Sequence, residues 1–171
     1  MIPNRSQAPQ ISRQRLVLDT NICLDLFMFR DPRWQALLDA IVSGEAEAVT
    51  RADCRKEFEL VLAYEKMQLS AEAQAGILAD YDRCIALAPF TSPGSETDLS
   101  ALPPLIPLPV CKDGDDQKFL ELAAAARADV LITKDKALLK LARKTIRLGL
   151  FRIFSPEAWV ASFLSNPDLR K

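Results

Sequence analysis

Histidine is absent from this 171-residue chain, and its cysteines are few and scattered. Without histidine, the chain cannot use Ser-His-Asp or Cys-His nucleophile activation, nor a His-ligated zinc site. No Cys-x-x-Cys pair occurs among the four cysteines, so we interpret them as buried apolar thiols rather than as disulfides or metal ligands. These absences leave carboxylates as the main candidates for chemistry. The cysteines are Cys23, Cys54, Cys84 and Cys111.

The chain also lacks a long hydrophobic run and a strong net charge. No segment approaches the roughly 18 uninterrupted apolar residues of a membrane span, and the first 14 residues contain no apolar signal-peptide core. We therefore predict a cytoplasmic, soluble protein without a membrane partner. The formal net charge of −1 does not indicate a general polyanion binder, so any contact with nucleic acid must be local.

The length and the 49% hydrophobic content predict one folded domain. We place this domain at residues 15–165, with an N-terminal extension at 1–14 and a C-terminal tail at 166–171. Six of the eleven prolines lie between Pro89 and Pro109, which excludes a helix there. This proline-rich loop at 89–109 is interpreted as a surface loop ending in a short extended piece, or alternatively as a flap beside the functional site.

Strand-like and helix-like segments alternate along the chain, which predicts a parallel sheet covered by helices on both faces. The predicted strands are Arg15–Leu18, Glu47–Thr50, Val130–Thr133 and Phe151–Phe154. The predicted helices run from Pro32 to Gly44, Asp53 to Tyr64, Ser70 to Leu87 and Gln117 to Arg127, followed by one after Asp135 and one capped by Ser155.

Two buried strands are each followed closely by an aspartate. Asp19 ends the first, and Asp135 follows Val130–Thr133. Parallel strands deliver such residues to the same edge of a sheet, which is where ligands bind in open α/β sheets. Glu57 and the acidic segment Asp113–Asp116 lie near helix starts and can join them.

Crowded carboxylates repel one another unless a cation or protons offset their charge. Mg²⁺ or Mn²⁺, with oxygen ligands, suits such a pocket better than zinc in a chain without histidine. Each acid also has a structural explanation: Asp115, Asp116 and Asp135 can cap helices, and Glu57 can be a solvated helix residue. Asp19 differs, because the apolar segment that follows it shows no obvious need for a cap.

Four segments in this order resemble the PIN domain family, in particular the VapC-like toxins of type II toxin–antitoxin pairs. The resemblance covers about Leu16 to Trp159. Its segments are Leu-Asp19-Thr-Asn21-Ile, Cys-Arg-Lys-Glu57-Phe, Asp113-Gly-Asp-Asp116-Gln-Lys-Phe-Leu and Ala128-Asp-Val-Leu-Ile-Thr-Lys-Asp135. It implies a three-layer α/β/α sandwich with a central, mainly parallel sheet.

The resemblance further implies a ribonuclease that depends on Mg²⁺ or Mn²⁺ and acts as a toxin restrained by a small antitoxin protein. Asp19, Glu57, Asp116 and Asp135 become the catalytic and metal-binding acids, with Asn21 as a polar neighbour. Asp113 or Asp115 can replace Asp116 as the metal ligand. Homodimers are also common in this family. The alternative is a non-catalytic or housekeeping module of the same fold that binds metal or RNA.

Basic residues near these acids are candidates for binding the RNA backbone. Lys136, Lys140 and Lys144 share one face of a continuous helix, and Arg143 lies beside them. A solvated helix face explains the same pattern equally well. The complete set of candidate RNA-binding residues is Lys134, Lys136, Lys140, Arg143 and Arg55.

Overall fold

The computed structural model describes residues 13–88 and 107–165, which form a five-stranded parallel sheet with helices on both faces. The strands follow the order β3-β2-β1-β4-β5, and every neighbouring pair is parallel. This confirms the predicted three-layer α/β/α class. The strands are β1 (Gln14–Leu18), β2 (Ala46–Thr50), β3 (Ile85–Leu87), β4 (Val130–Ile132) and β5 (Arg152–Phe154).

The helices lie between consecutive strands, except the last, which follows β5. Pro32–Trp34, Glu65–Met67 and Gly114–Asp116 are short 3₁₀ turns, and Leu24–Met28 is a π-helical turn that continues the first helix. The α-helices are α1 (Thr20–Cys23), α2 (Gln35–Ser43), α3 (Ala52–Leu62), α4 (Ala71–Cys84), α5 (Gln117–Ala125), α6 (Lys136–Leu139), α7 (Ala142–Arg147) and α8 (Pro156–Ser165).

Alternate residues of the central strands enter two separate hydrophobic cores, one on each face of the sheet. In β1, Leu16 and Leu18 pack with Trp34, Phe58 and Trp159. Val17 points to the opposite face. There it joins a cluster that includes Phe119, Leu120, Leu131 and Leu138. Since strands buried on both faces leave only their ends accessible, the sheet edge is the natural place for chemistry.

The chain reverses the direction in which it adds strands between β1 and β4. From β1 it builds outward through β2 and β3, then crosses back to place β4 on the other side of β1. Leu18 is in register with Ile132 at the carboxyl ends of the two strands. This is a topological switch point, where α/β proteins bind ligands.

Several predicted helix boundaries are confirmed by their caps. Asp31 accepts from the Arg33 amide before the 3₁₀ turn, and Ser70 accepts from the Ala73 amide at the start of α4. Ser155 accepts from the Ala158 amide at the start of α8. Gly44 ends α2 with φ of +79°, a left-handed conformation that glycine adopts without steric cost.

Two predicted helices differ from the structure. The helix expected to reach Leu87 ends at Cys84, because Ile85–Leu87 pairs with β2 as an edge strand. The helix expected after Asp135 is divided into α6 and α7. The Leu141 amide there bonds to the Leu138 carbonyl and the Lys144 amide to the Leu141 carbonyl, so the chain tightens into three-residue turns. The continuous face assumed for Lys136, Lys140 and Lys144 is therefore wrong.

The predicted proline-rich loop at 89–109, the extension at 1–14 and the tail at 166–171 lie wholly or largely outside the described residues. Of the extended piece expected to end at Cys111, the described part from residue 107 is irregular rather than a strand. No helix within 13–88 or 107–165 is long and apolar enough to cross a membrane.

Candidate active site

Asp19 lies at the switch point with its carboxylate almost completely buried. The side chain is 2% exposed. Its Oδ1 accepts from the Asn21 amide at 3.2 Å, so Asp19 caps α1. The expectation that Asp19 serves no cap is therefore wrong, because the helix begins directly after the strand. Asn21 itself is exposed at the start of this helix.

Thr133 joins the ends of β1 and β4 through one hydroxyl. Its Oγ1 donates to Asp19 Oδ2 at 2.6 Å and accepts from the Asp135 amide at 2.9 Å. Thr133 is fully buried, so both bonds form away from water, where an unmade bond is costly. This hydroxyl fixes the Asp19 carboxylate and the backbone of Asp135 relative to each other.

Asp135 caps α6, as the sequence analysis allowed. Its Oδ1 accepts from the amides of Ala137 at 2.7 Å and Leu138 at 3.0 Å. Both cap bonds use the same oxygen, and the side chain is only partly buried. A cap does not exclude a metal role, since a carboxylate has about four acceptor positions.

The position of Glu57 differs from that of a solvated helix residue. It projects from the middle of α3, and its Oε1 accepts from Thr20 Oγ1 at 2.7 Å. Lys118, in the first turn of α5, donates to Oε2 and forms an ion pair with it. The three side chains link helices α1, α3 and α5 across the carboxyl edge of the sheet.

The acidic segment before α5 separates into a capping residue and a partly buried acid. Asp113 caps the 3₁₀ turn by accepting from the Asp115 amide at 3.0 Å, and both residues are exposed. Asp116 is partly buried, and its side chain makes no capping bond to α5. Capping therefore explains Asp113 but not Asp116.

Electrostatics place the acids in one neighbourhood. Burial, together with the nearby carboxylates of Asp19, Asp135, Asp113 and Glu57, raises the pKa of Asp116 to about 6. The pKa of Asp19 is also raised, mainly by burial, against the lowering effect of its bonds from Thr133 and Asn21. The neighbouring carboxylates thus make ionisation of Asp19 and Asp116 more costly.

This donor set suits a hard divalent cation. Every candidate ligand is an oxygen, and a cation would relieve the repulsion that raises the pKa of Asp116. Within the described ranges, no three acidic or cysteine side chains are already grouped as a metal site. The acids are therefore close enough to interact, but the side chains are not arranged in coordination geometry.

The candidate RNA-binding residues fall into two groups. Lys134 donates to Asp25 at 2.5 Å, and Arg55 forms two bonds of 2.7 Å with Asp82, so these cations are engaged within the protein. Lys136 on α6, Lys140 just after α6 and Arg143 on α7 are exposed. Among the described residues, no ion pair involves these three.

Sequence reasoning missed three residues of this edge, namely Thr20, Lys118 and Thr133. Thr133 directly follows β4 as Asp19 directly follows β1, and Thr20 is the residue after Asp19. Lys118 follows Asp116 by two residues, a spacing that gives no indication of a bond to Glu57. That bond depends on where the fold places α5 relative to α3.

The fold and the side chains at this edge define an α/β protein with acidic residues at the switch point of a parallel sheet. A family model described as PIN domain matches residues 15–137, a range that includes Asp19, Glu57, Asp116 and Asp135. The chain belongs to the PIN domain family, whose members are in general metal-dependent nucleases acting on RNA or DNA. No curated protein matches the chain.

Proposed function

We propose that this protein is an endoribonuclease that hydrolyses RNA phosphodiester bonds with Mg²⁺ or Mn²⁺. The observation that supports this most is the raised pKa of Asp116, to which the carboxylates of Asp19, Asp135 and Glu57 contribute. Acids from four separate segments thus influence one another at the ligand-binding edge of the fold. Such a cluster stores repulsion that a divalent cation would remove.

In the proposed mechanism, Asp19, Asp116 and Asp135 would hold the metal, which would supply an activated water and neutralise the charge that develops on the phosphate. Thr133 keeps the Asp19 carboxylate in place through its hydroxyl. Glu57, which accepts a hydrogen bond from Thr20, would orient the attacking water or help to hold the metal. Asp113 and Asp115 remain alternative ligands in the acidic segment. No histidine is needed for these steps.

RNA must approach an acidic edge on a protein of net charge −1, so its binding needs the metal and local cations. The exposed Lys136, Lys140 and Arg143 are the best placed to hold the backbone, because Lys134 and Arg55 are already bound to Asp25 and Asp82. Phosphate contacts of this kind position the substrate without selecting its sequence.

We also propose that the nuclease is the toxin of a toxin–antitoxin pair and forms a homodimer. The support is the resemblance of the four motif segments to such toxins. Expression of the wild-type chain should arrest bacterial growth, and expression of Asp19→Asn should not. Normal growth with an active nuclease would favour a housekeeping role. Light scattering of the purified protein would establish whether it is a dimer.

The enzymatic proposal is tested by incubating purified protein with end-labelled single-stranded RNA and DNA of one sequence. We expect RNA cleavage with Mg²⁺ or Mn²⁺, none with chelator, and a loss of ~10³-fold or more in Asp19→Asn, since a metal supplies several kcal/mol of transition-state stabilisation. Full activity in that variant would contradict the mechanism. Intact RNA despite bound Mn²⁺ would favour a non-catalytic binding module.

A further inference from the structure

Both carboxylate oxygens of Glu57 are already bound within the protein. Thr20 donates to one oxygen and Lys118 to the other. The side chains of Lys118 and Glu57 are 19% and 32% exposed, so the pair is shielded more than an ordinary surface ion pair. A divalent cation that binds Glu57 must therefore compete with an ammonium group that is already present.

Lys118 is carried by the same element as a candidate metal ligand. It lies in the first turn of α5, two residues after Asp116. Within residues 13–88 and 107–165, it is also the one cation in an ion pair with any of Asp19, Glu57, Asp116 and Asp135. Arg51 is buried and close to Glu57 in the sequence, but it bonds to Asp53 and Glu121.

We propose that Lys118 is an internal counter-ion that holds Glu57 while the site contains no metal, and that it must release Glu57 when a divalent cation binds. The inference rests on the proposed metal-dependent function. Lys118 is then a positioning residue that weakens metal affinity. The ion pair between Lys118 and Glu57 therefore forms at low metal concentration and breaks at higher concentration, when a divalent cation binds.

Mn²⁺ titration by calorimetry tests this proposal through binding rather than activity. Lys118→Met removes the charge, and Lys118→Gln removes the charge while retaining a donor for Glu57. We expect both variants to bind Mn²⁺ about tenfold more tightly than the wild type at low ionic strength, because a positive charge next to the cation is gone. Affinity within twofold of the wild type, or weaker binding, would overturn the proposal.

Lys56→Met is the matched control. Lys56 forms a surface ion pair with Glu59 on α3, so its loss changes the net charge equally without touching Glu57. We expect its Mn²⁺ affinity to equal that of the wild type. An increase equal to that of Lys118→Met would attribute the effect to net charge alone and overturn the proposal.

Crystal structures of the wild type without and with Mn²⁺ provide a second readout. Lys118 should contact Glu57 in the first and lie beyond 4 Å from it in the second. An unbroken contact with Mn²⁺ bound would overturn the proposal and leave the metal-dependent function intact. If neither the wild type nor Lys118→Met binds Mn²⁺, the proposed function itself fails.

Discussion

At the scale of single residues, Thr133 connects two of the candidate metal ligands. Its hydroxyl bonds to Asp19 and to the Asp135 amide, and Thr133→Val retains the shape while removing both bonds. We expect Mn²⁺ affinity and cleavage to fall by about 10–100-fold, as for other groups that orient metal ligands. We also expect the free energy of unfolding to fall by about 1–3 kcal/mol, because buried polar groups lose their partner.

Thr145→Val is the control for this substitution. Thr145 is also fully buried, and its hydroxyl donates to the Ala142 carbonyl within α7, away from the acids. Thr145→Val should lower the free energy of unfolding but leave Mn²⁺ affinity unchanged. Equal losses of affinity in the two variants would show that Thr133 acts through general stability.

Asp116 makes stability depend on pH in the metal-free protein. Its folded pKa of about 6 exceeds the unfolded value of 3.8, so the folded protein binds more protons between these values. The contribution of Asp116 to stability therefore falls as pH rises from about 4 to 6, and remains unfavourable above. Asp116→Asn should stabilise the metal-free protein at pH 7.5, with a smaller gain at pH 5, as measured by urea unfolding in chelator.

Asp115→Asn serves as the comparison, since Asp115 is exposed in the same acidic segment. It should change stability less than Asp116→Asn at pH 7.5. With excess Mn²⁺ the order should reverse, because the wild type gains binding energy that Asp116→Asn loses. A destabilised Asp116→Asn protein in chelator at pH 7.5 would contradict this account.

At the scale of elements, Asp135 both caps the start of α6 and is a candidate metal ligand. Asparagine caps helices nearly as well as aspartate, whereas alanine does not. Asp135→Asn should therefore preserve stability within about 0.5 kcal/mol and lose Mn²⁺ affinity, and Asp135→Ala should lose affinity and about 1 kcal/mol of stability. Chemical denaturation and calorimetry measure the two effects. Undiminished Mn²⁺ binding in Asp135→Asn would restrict Asp135 to capping.

Elements with strong local signals could be predicted from the sequence. The apolar strands at the centre of the sheet, the caps Ser70 and Ser155, and the helix end at Gly44 are all found as expected. Ile85–Leu87 could not be predicted as a strand, because three residues continue the helical pattern and only pairing with β2 makes them extended. The division of α6 from α7 has no glycine or proline to mark it, and it occurs between the fully buried Leu138 and Thr145.

The part of the candidate site that could be predicted is the set of acids that follow buried strands. Asp19 and Asp135 follow buried strands, so parallel pairing alone brings them to one edge. The roles of Thr133 and Lys118 depend on contacts between segments more than 60 residues apart, as the bond of Lys118 to Glu57 shows. Such contacts have no signature in local sequence.

At the scale of the whole molecule, strand order determines where the acids meet. Because β1 and β4 are central neighbours and all strands are parallel, the residues after Leu18 and Ile132 emerge side by side. The helices that follow β2 and precede β4 then supply Glu57 and Asp116. A protein of nearly neutral charge thereby gains one acidic edge, whose repulsion a bound divalent cation would relieve.

The most direct test of this account is a calorimetric titration of the metal-free wild type with Mn²⁺ at pH 7.5, alongside Asp19→Asn. We expect saturable binding by the wild type and a loss of ~100-fold or more in affinity in the variant, which removes a charged ligand and exceeds the effect of an outer-shell change. Near-native melting of Asp19→Asn would show that folding is preserved. Equal affinity in the two proteins, or no binding by the wild type at millimolar Mn²⁺, would contradict the account.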